Sequence, residues 1–145
     1  MQAELSCTEV ADLPEGSTRG FSHHISCEEV DRFALLSGDL NPLHTSDEFA
    51  RRAGFPGRVV HGALLGALLS RLVGMYLPGE RCLLLRSDLR FVSPAFLEDV
   101  VDVWGQVEQV SAANQTMVIA ASITRATDAT PLTRGRLYVS LTHPR

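Results

Sequence analysis

The sequence predicts an α+β fold in which an antiparallel β-sheet curls around one long central helix. Three observations carry that prediction. The stretch from Gly62 to about Leu77 is apolar on nearly every face, four strand-like segments follow it in succession, and one more precedes it. A helix with no polar face is enclosed by other structure rather than laid on a surface. Consecutive strands joined by short polar turns pair as antiparallel neighbours. At 145 residues, with no repeat, linker or low-complexity tract, the chain reads as a single domain over 1–145, loosely ordered at 1–15.

Taken in order, Thr18 to Ile25 reads as the first strand. Ser26-Cys-Glu-Glu29 has the pattern of a capping box, in which the serine and glutamate side chains both satisfy free backbone N–H groups. The helix that follows carries Val30, Phe33, Ala34 and Leu36 at helical spacing and stops at Gly38. Asp39 to His44 reads as a loop, because Asn41-Pro42 disfavours helix. Ser46 to Ala53 is a short helix ended by Gly54, and Pro78-Gly79 ends the long apolar one. The later strands are Cys82 to Phe96, Val100 to Val110, Met117 to Arg125 and Leu132 to Leu141.

Composition narrows the function. A net charge of −4 and a pI near 5.7 give no basic face for a phosphate backbone. All 13 basic residues are arginine, so no lysine is present to form a Schiff base or act as a base. Cys7, Cys27 and Cys82 are odd in number and lack metal-ligand spacing, which fits a reducing, cytoplasmic compartment. The N-terminus has no basic patch followed by an apolar run, and Gly62 to Leu69 is too short to span a bilayer. No metal and no separate cofactor is expected.

Two segments concentrate polar groups beside apolar neighbours: Ser37-Gly-Asp-Leu-Asn-Pro-Leu-His44 and Gly57-Arg-Val-Val-His-Gly62. Hydration of an α,β-unsaturated thioester needs a base for water, an acid for the α-carbon, and a group that holds negative charge on the thioester oxygen. Asp39 and His44 supply a carboxylate and an imidazole on one bent segment, where both can grip a single water. Pro42 restricts the backbone between them, and Asn41 can hydrogen-bond locally to fix the carboxylate. Free N–H groups at the start of the apolar helix, with Gly62 allowing close approach, suit the developing oxyanion.

The same residues admit plainer readings. An Asp-x-Asn-Pro loop is often a turn whose Asp caps backbone N–H groups. His61, before a helix, reads as a structural hydrogen-bonding or packing residue rather than an acid. Ser70, deep in the apolar helix, suits a hydroxyl bonded back to its own backbone. His23 and His24 read as surface residues, and Asp47 and Glu48 as first-turn helix charges.

Ser37-Gly-Asp-Leu-Asn-Pro-Leu-His44, followed by Val60-His-Gly62 and an apolar helix, resembles the MaoC-like family of (R)-specific enoyl-CoA hydratases and dehydratases. Leu89-Arg-Phe-Val-Ser-Pro-Ala-Phe96 resembles that family's long strand after the central helix, and the similarity runs from about Ser26 to Val110. One departure is Leu97-Glu98-Asp99, where many relatives have a glycine before the Asp. The resemblance implies a hot-dog fold, usually a homodimer whose sheets join side by side, in fatty acid or polyketide metabolism. It implies Asp39 and His44 as the catalytic pair, Gly62 as the oxyanion amide, and a site serine at Ser70. The substrate is then an acyl thioester carried on coenzyme A or on an acyl carrier protein. Arg51, Arg52, Arg58 and Arg71 could meet either anionic carrier, although a solvated face is the preferred reading of that group.

Two other functions compete. A hot-dog thioesterase commonly places a carboxylate in or near the central helix, and His61 to Leu77 has none. A non-catalytic acyl-binding subunit has no reason to keep both Asp39 and His44.

Overall fold

The computed structural model describes residues 13–142. Its elements run β1 (Thr18–His24), α1 (Cys27–Ser37), α2 (Pro42–Thr45), α3 (Asp47–Arg52), α4 (Gly62–Met75), β2 (Cys82–Phe91), β3 (Val100–Ser111), β4 (Thr116–Arg125) and β5 (Pro131–Leu141). The five strands form one antiparallel sheet in the order β1-β3-β4-β5-β2. Helix α4 contacts β1 and β2, the two edges, as well as β3. A sheet whose opposite edges both touch one helix is curled around it, as the sequence predicts, but the four later strands are not one run of neighbours: β2 pairs with β5 at the far edge and not with β3.

The alternation of β3, β4 and β5 builds the inner face of that curl. Val101, Val103 and Val107, then Met117, Ile119, Ala121 and Ile123, then Leu137, Val139 and Leu141 are buried at every second position. Leu64, Leu65, Leu68, Leu69, Leu72 and Val73 of α4 fill the concavity. Each such side chain removed from water contributes roughly 1.5–3 kcal/mol, so this helix is the main anchor of the domain. It is not enclosed on every side, however. Ala63, Ala67 and Ser70 lie on an exposed face of small residues. A face made of alanine and serine does not have to be buried, because its side chains expose little apolar surface.

Three local expectations are corrected by the structure. Asn41-Pro42 begins a helix rather than prolonging a loop, because proline's missing N–H costs nothing at the first helical position. The Ser26 hydroxyl does cap α1 by accepting the Glu29 N–H, but the Glu29 carboxylate pairs with His23 instead of reaching back. The Glu98 carboxylate accepts a different free donor of this helix, the Cys27 N–H, at 3.1 Å. Strand β2 stops at Phe91; the Val92 N–H still donates to the Leu132 carbonyl of β5, and the chain then leaves the sheet over Ser93 to Ala95. Pro94 cannot donate to a ladder, and the Val60 N–H instead donates to the Ala95 carbonyl, tying this segment to the approach to α4.

Of the stretch expected to be loose, residues 1–12 lie outside the described residues. Residues 13–15 are held in place: Leu13 is buried, the Glu15 carboxylate accepts the Val110 N–H, and the Pro14 carbonyl accepts the Ser17 N–H. No helix among the described residues is long and apolar enough to cross a membrane.

Candidate active site

The turn after α1 sets the first functional group. Gly38 closes that helix in the left-handed conformation, at φ 74°, and donates its N–H to the Ala34 carbonyl. The reversal places Asp39 at the surface, where the Ser37 hydroxyl accepts its N–H and Asp39 Oδ1 accepts the Asn41 N–H at 3.2 Å. The carboxylate is therefore held by the backbone of Asn41. The Asn41 side chain caps α2 by accepting the Leu43 N–H at 2.9 Å, so it supports the loop and does not reach into a cleft.

Helix α2 is four residues long, and its last turn carries His44. The His44 Nδ1–H donates to the Val59 carbonyl at 2.7 Å. A carbonyl can only accept, so the proton sits on Nδ1 and the neutral ring keeps its lone pair on Nε2. That Nε2 faces Asp39 Oδ2 across 3.8 Å, with the imidazole mostly buried and the carboxylate half exposed. The Leu43 carbonyl accepts the Val59 N–H in return, so α2 and the 58–60 segment are joined on both sides of the histidine.

Arg58 completes that joint. It is buried, with 8% of its surface exposed, and its Nε donates to the His44 carbonyl at 2.6 Å. The same guanidinium reaches Asp31 and the Cys27 thiol on α1. Burial works against its charge, but the Asp31 carboxylate and Cys27 outweigh it and hold its pKa above the ordinary value. Arg58 is thus an internal brace between α1 and α2, not part of a rim. Its three companions are also scattered: Arg51 donates to the Pro56 carbonyl, Arg52 pairs with Glu48, and Arg71 lies over the Phe21 ring.

A cleft of about 350 Å³ opens beside the pair, lined by His44, Val59, Val60, Gly62, Leu65 and the segment Phe91 to Ala95. Its walls are largely apolar. Gly62 stands at the N-terminus of α4, where the first N–H groups have no acceptor within the helix and carry the positive end of its dipole. A β-carbon on Gly62 would sit 3.3 Å from the end of the Phe91 ring, so any side chain there crowds the cleft. The structure thus brings His44 and Gly62 onto one cleft, with the Asp39 carboxylate facing the His44 ring beside it. Ser70 it does not: that residue lies two turns along α4 on the exposed face, away from the lining residues.

Sequence reasoning missed one contributor, and read His61 as a hydrogen-bonding or packing residue without identifying its partners. The cleft wall from Val92 to Ala95 reads as strand until Ser93-Pro94 is weighed as a break. His61 is 2% exposed, its ring stacks on that of His44 at 3.9 Å, and its Nε2–H donates to the Asp39 carbonyl at 3.0 Å. Asp39, His44 and His61 together offer ligand atoms within 4.8 Å of one another, the one such metal-ligand grouping among the described residues. The two rings are only 24° from parallel, so their in-plane lone pairs run side by side instead of converging as tetrahedral coordination requires. The geometry suits a shared water better than a cation.

A family model described as a MaoC like domain matches residues 12–128. The chain is 39% identical over 113 residues to an (R)-specific enoyl-CoA hydratase of Aeromonas caviae, covering 78% of this chain and 82% of that protein. It is 34% identical over 110 residues to a 3-hydroxybutyryl-CoA dehydratase of Methylorubrum extorquens, covering 76% of this chain and 70% of that protein. The solved (R)-hydratase from Aeromonas caviae superposes with a TM-score of 0.85 at 32% identity, covering 89% of this chain and 97% of that one.

Proposed function

The chain belongs to the MaoC-like family, and from that membership and its cleft we infer that it is a hydro-lyase acting on acyl thioesters. It adds water to an α,β-unsaturated acyl-CoA or removes water from the 3-hydroxyacyl-CoA, the reactions for which its relatives are named. The observation that carries the residue assignment is the 3.8 Å gap between His44 Nε2 and Asp39 Oδ2 beside an apolar cleft that ends at Gly62.

A gap of that length is too long for a strong direct hydrogen bond. One water about 2.8 Å from each atom spans it comfortably, at an angle of roughly 85°. In the hydration direction His44 Nε2 takes one proton of that water while Asp39 accepts the other hydrogen and orients the oxygen toward the β-carbon. The hydroxyl adds to the β-carbon, and the imidazolium returns its proton to the α-carbon, so the hydroxyl and the proton of one water are both accounted for. Negative charge on the thioester oxygen meets the amide N–H at Gly62. Adding water is redox-neutral, and this scheme asks for no cofactor beyond the carrier of the acyl group.

The test is turnover of crotonyl-CoA by the purified chain, followed by loss of the enoyl thioester absorbance. We expect Asp39→Asn and His44→Ala each to lower kcat by about 10²–10⁴, the usual worth of a positioned acid or base, with the circular dichroism unchanged. Near-wild-type turnover by either folded variant would remove that residue from the mechanism. Release of free thiol in place of the 3-hydroxyacyl product would indicate a thioesterase. The same assay on enoyl groups attached to an acyl carrier protein compares the two carriers.

The assembly is proposed as a homodimer through β2. Of the two sheet edges, β1 exposes no large apolar side chain, whereas β2, beside its charged Arg86, Asp88 and Arg90, exposes Leu83 (59%), Leu85 (57%) and Phe91 (53%). An apolar exposed edge invites a second strand, and a two-fold axis at β2 joins two sheets side by side. Cys27 and Cys82 are free thiols, and with acyl-CoA as substrate we place the enzyme in the reducing cytoplasm.

A further inference from the structure

We propose that His61 is a positioning residue that sets the geometry of both catalytic side chains at once, an inference that rests on the assignment of Asp39 and His44 above. Three of the four helices are capped at their N-termini by side chains: Ser26 for α1, Asn41 for α2 and Ser46 for α3 each accept a backbone N–H. His61 holds the same place before α4, yet its side chain makes no capping bond. It turns instead toward the catalytic loop.

There it makes two independent contacts. Its Nε2–H holds the Asp39 carbonyl at 3.0 Å, which fixes the backbone from which the carboxylate projects. Its ring face lies 3.9 Å from the His44 ring. His44 is thereby located in three directions: by the Val59 carbonyl on Nδ1, by the Arg58 bond to its own carbonyl, and by the stack. Phe33 packs edge-on against the far part of the His61 ring at 5.0 Å, so the imidazole is itself wedged.

The remaining nitrogen argues that this arrangement serves the site more than the fold. His61 Nδ1 is buried and has no hydrogen-bond partner among the described residues. A buried unpartnered nitrogen destabilises the folded state, and a phenyl ring of similar shape would avoid it. What phenylalanine lacks is the N–H that holds Asp39. A ring with one flat face and one donor at its tip satisfies both contacts, and imidazole is the side chain of that size that has them.

The test compares wild type, His61→Phe, His61→Ala and Asp39→Asn with crotonyl-CoA, reading kcat, KM and Tm. His61→Phe keeps the stack and deletes both the donor and the unpartnered nitrogen. We expect its kcat to fall about 10–100-fold, as a misplacement of an ångström or less at a reacting centre does. KM should stay within about twofold, and Tm should be unchanged or higher. His61→Ala, which also removes the stack, should lose more kcat than His61→Phe. A merely structural histidine gives the opposite signature: His61→Phe lowers Tm and leaves kcat at the wild-type value. That result overturns the inference while an inactive Asp39→Asn keeps the functional reading intact. If wild type and Asp39→Asn are equally inert, the functional reading fails and this inference fails with it.

Discussion

His44 can serve as a base because a backbone carbonyl fifteen residues away, that of Val59, fixes its tautomer. Asp39 can face it because Gly38 turns the chain and the Asn41 N–H restrains the carboxylate. Both conditions are local in distance but rest on different elements, so a single loop does not create the pair. A second residue shows how an unfavourable conformation is tolerated. Glu98 has φ 68°, the left-handed region that glycine occupies freely, at the position where the family pattern often has glycine. Its carboxylate offsets that cost by accepting the Cys27 N–H and pairing with His24 at 2.6 Å. Glu98→Gly and Glu98→Ala both lose these bonds, so their difference isolates the backbone term. We expect the glycine variant to be more stable by about 1 kcal/mol in urea denaturation; equal stabilities would mean that the turn readjusts.

Among the elements, α4 both holds the fold together and delivers an amide to the cleft. Leu69 lies at its centre with no exposed surface. Leu69→Ala should destabilise the protein by about 2–5 kcal/mol, measured as a shift of the urea midpoint with an unchanged slope. A change below about 1 kcal/mol would mean that the curl of the sheet can collapse onto the helix. The short helices α1 and α2 depend on different forces. Neither buries much of its own surface, and their relation is set by Arg58, which joins Asp31 and Cys27 on one to the His44 carbonyl on the other. Capping and turn chemistry therefore define each helix, while the buried Arg58, paired with the half-exposed Asp31, orients them.

For the whole molecule, the sheet edges decide what the domain does with its surface. The apolar β2 edge leads directly into Phe91 and Val92, which line the cleft and are themselves 53% and 45% exposed. A partner on β2 would therefore stand next to the substrate. We expect the protein to behave as a dimer in light scattering, and the double variant Leu83→Lys, Leu85→Lys to shift it toward monomer through charge placed on a pairing edge. A doubly charged variant that stays fully dimeric would locate the interface elsewhere.

Much of this was legible in the chain alone. Periodicity distinguishes a wholly apolar helix from alternating strands, because each pattern reports which faces of an element meet water. The Asp39 to His44 segment declares its chemistry through residue types held close by Pro42, and Gly62 through its place at a helix start. What the sequence by itself could not determine are relations across long separations. That Arg58 braces α1 and is not part of a rim, that His61 reaches Asp39 across twenty-two residues of chain, and that Ser70 faces away from the cleft all depend on how α4 is rotated against the sheet. The tertiary structure alone settles such questions, because packing of a helix in a curled sheet fixes rotation and depth together, whereas local pattern fixes only which residues are apolar.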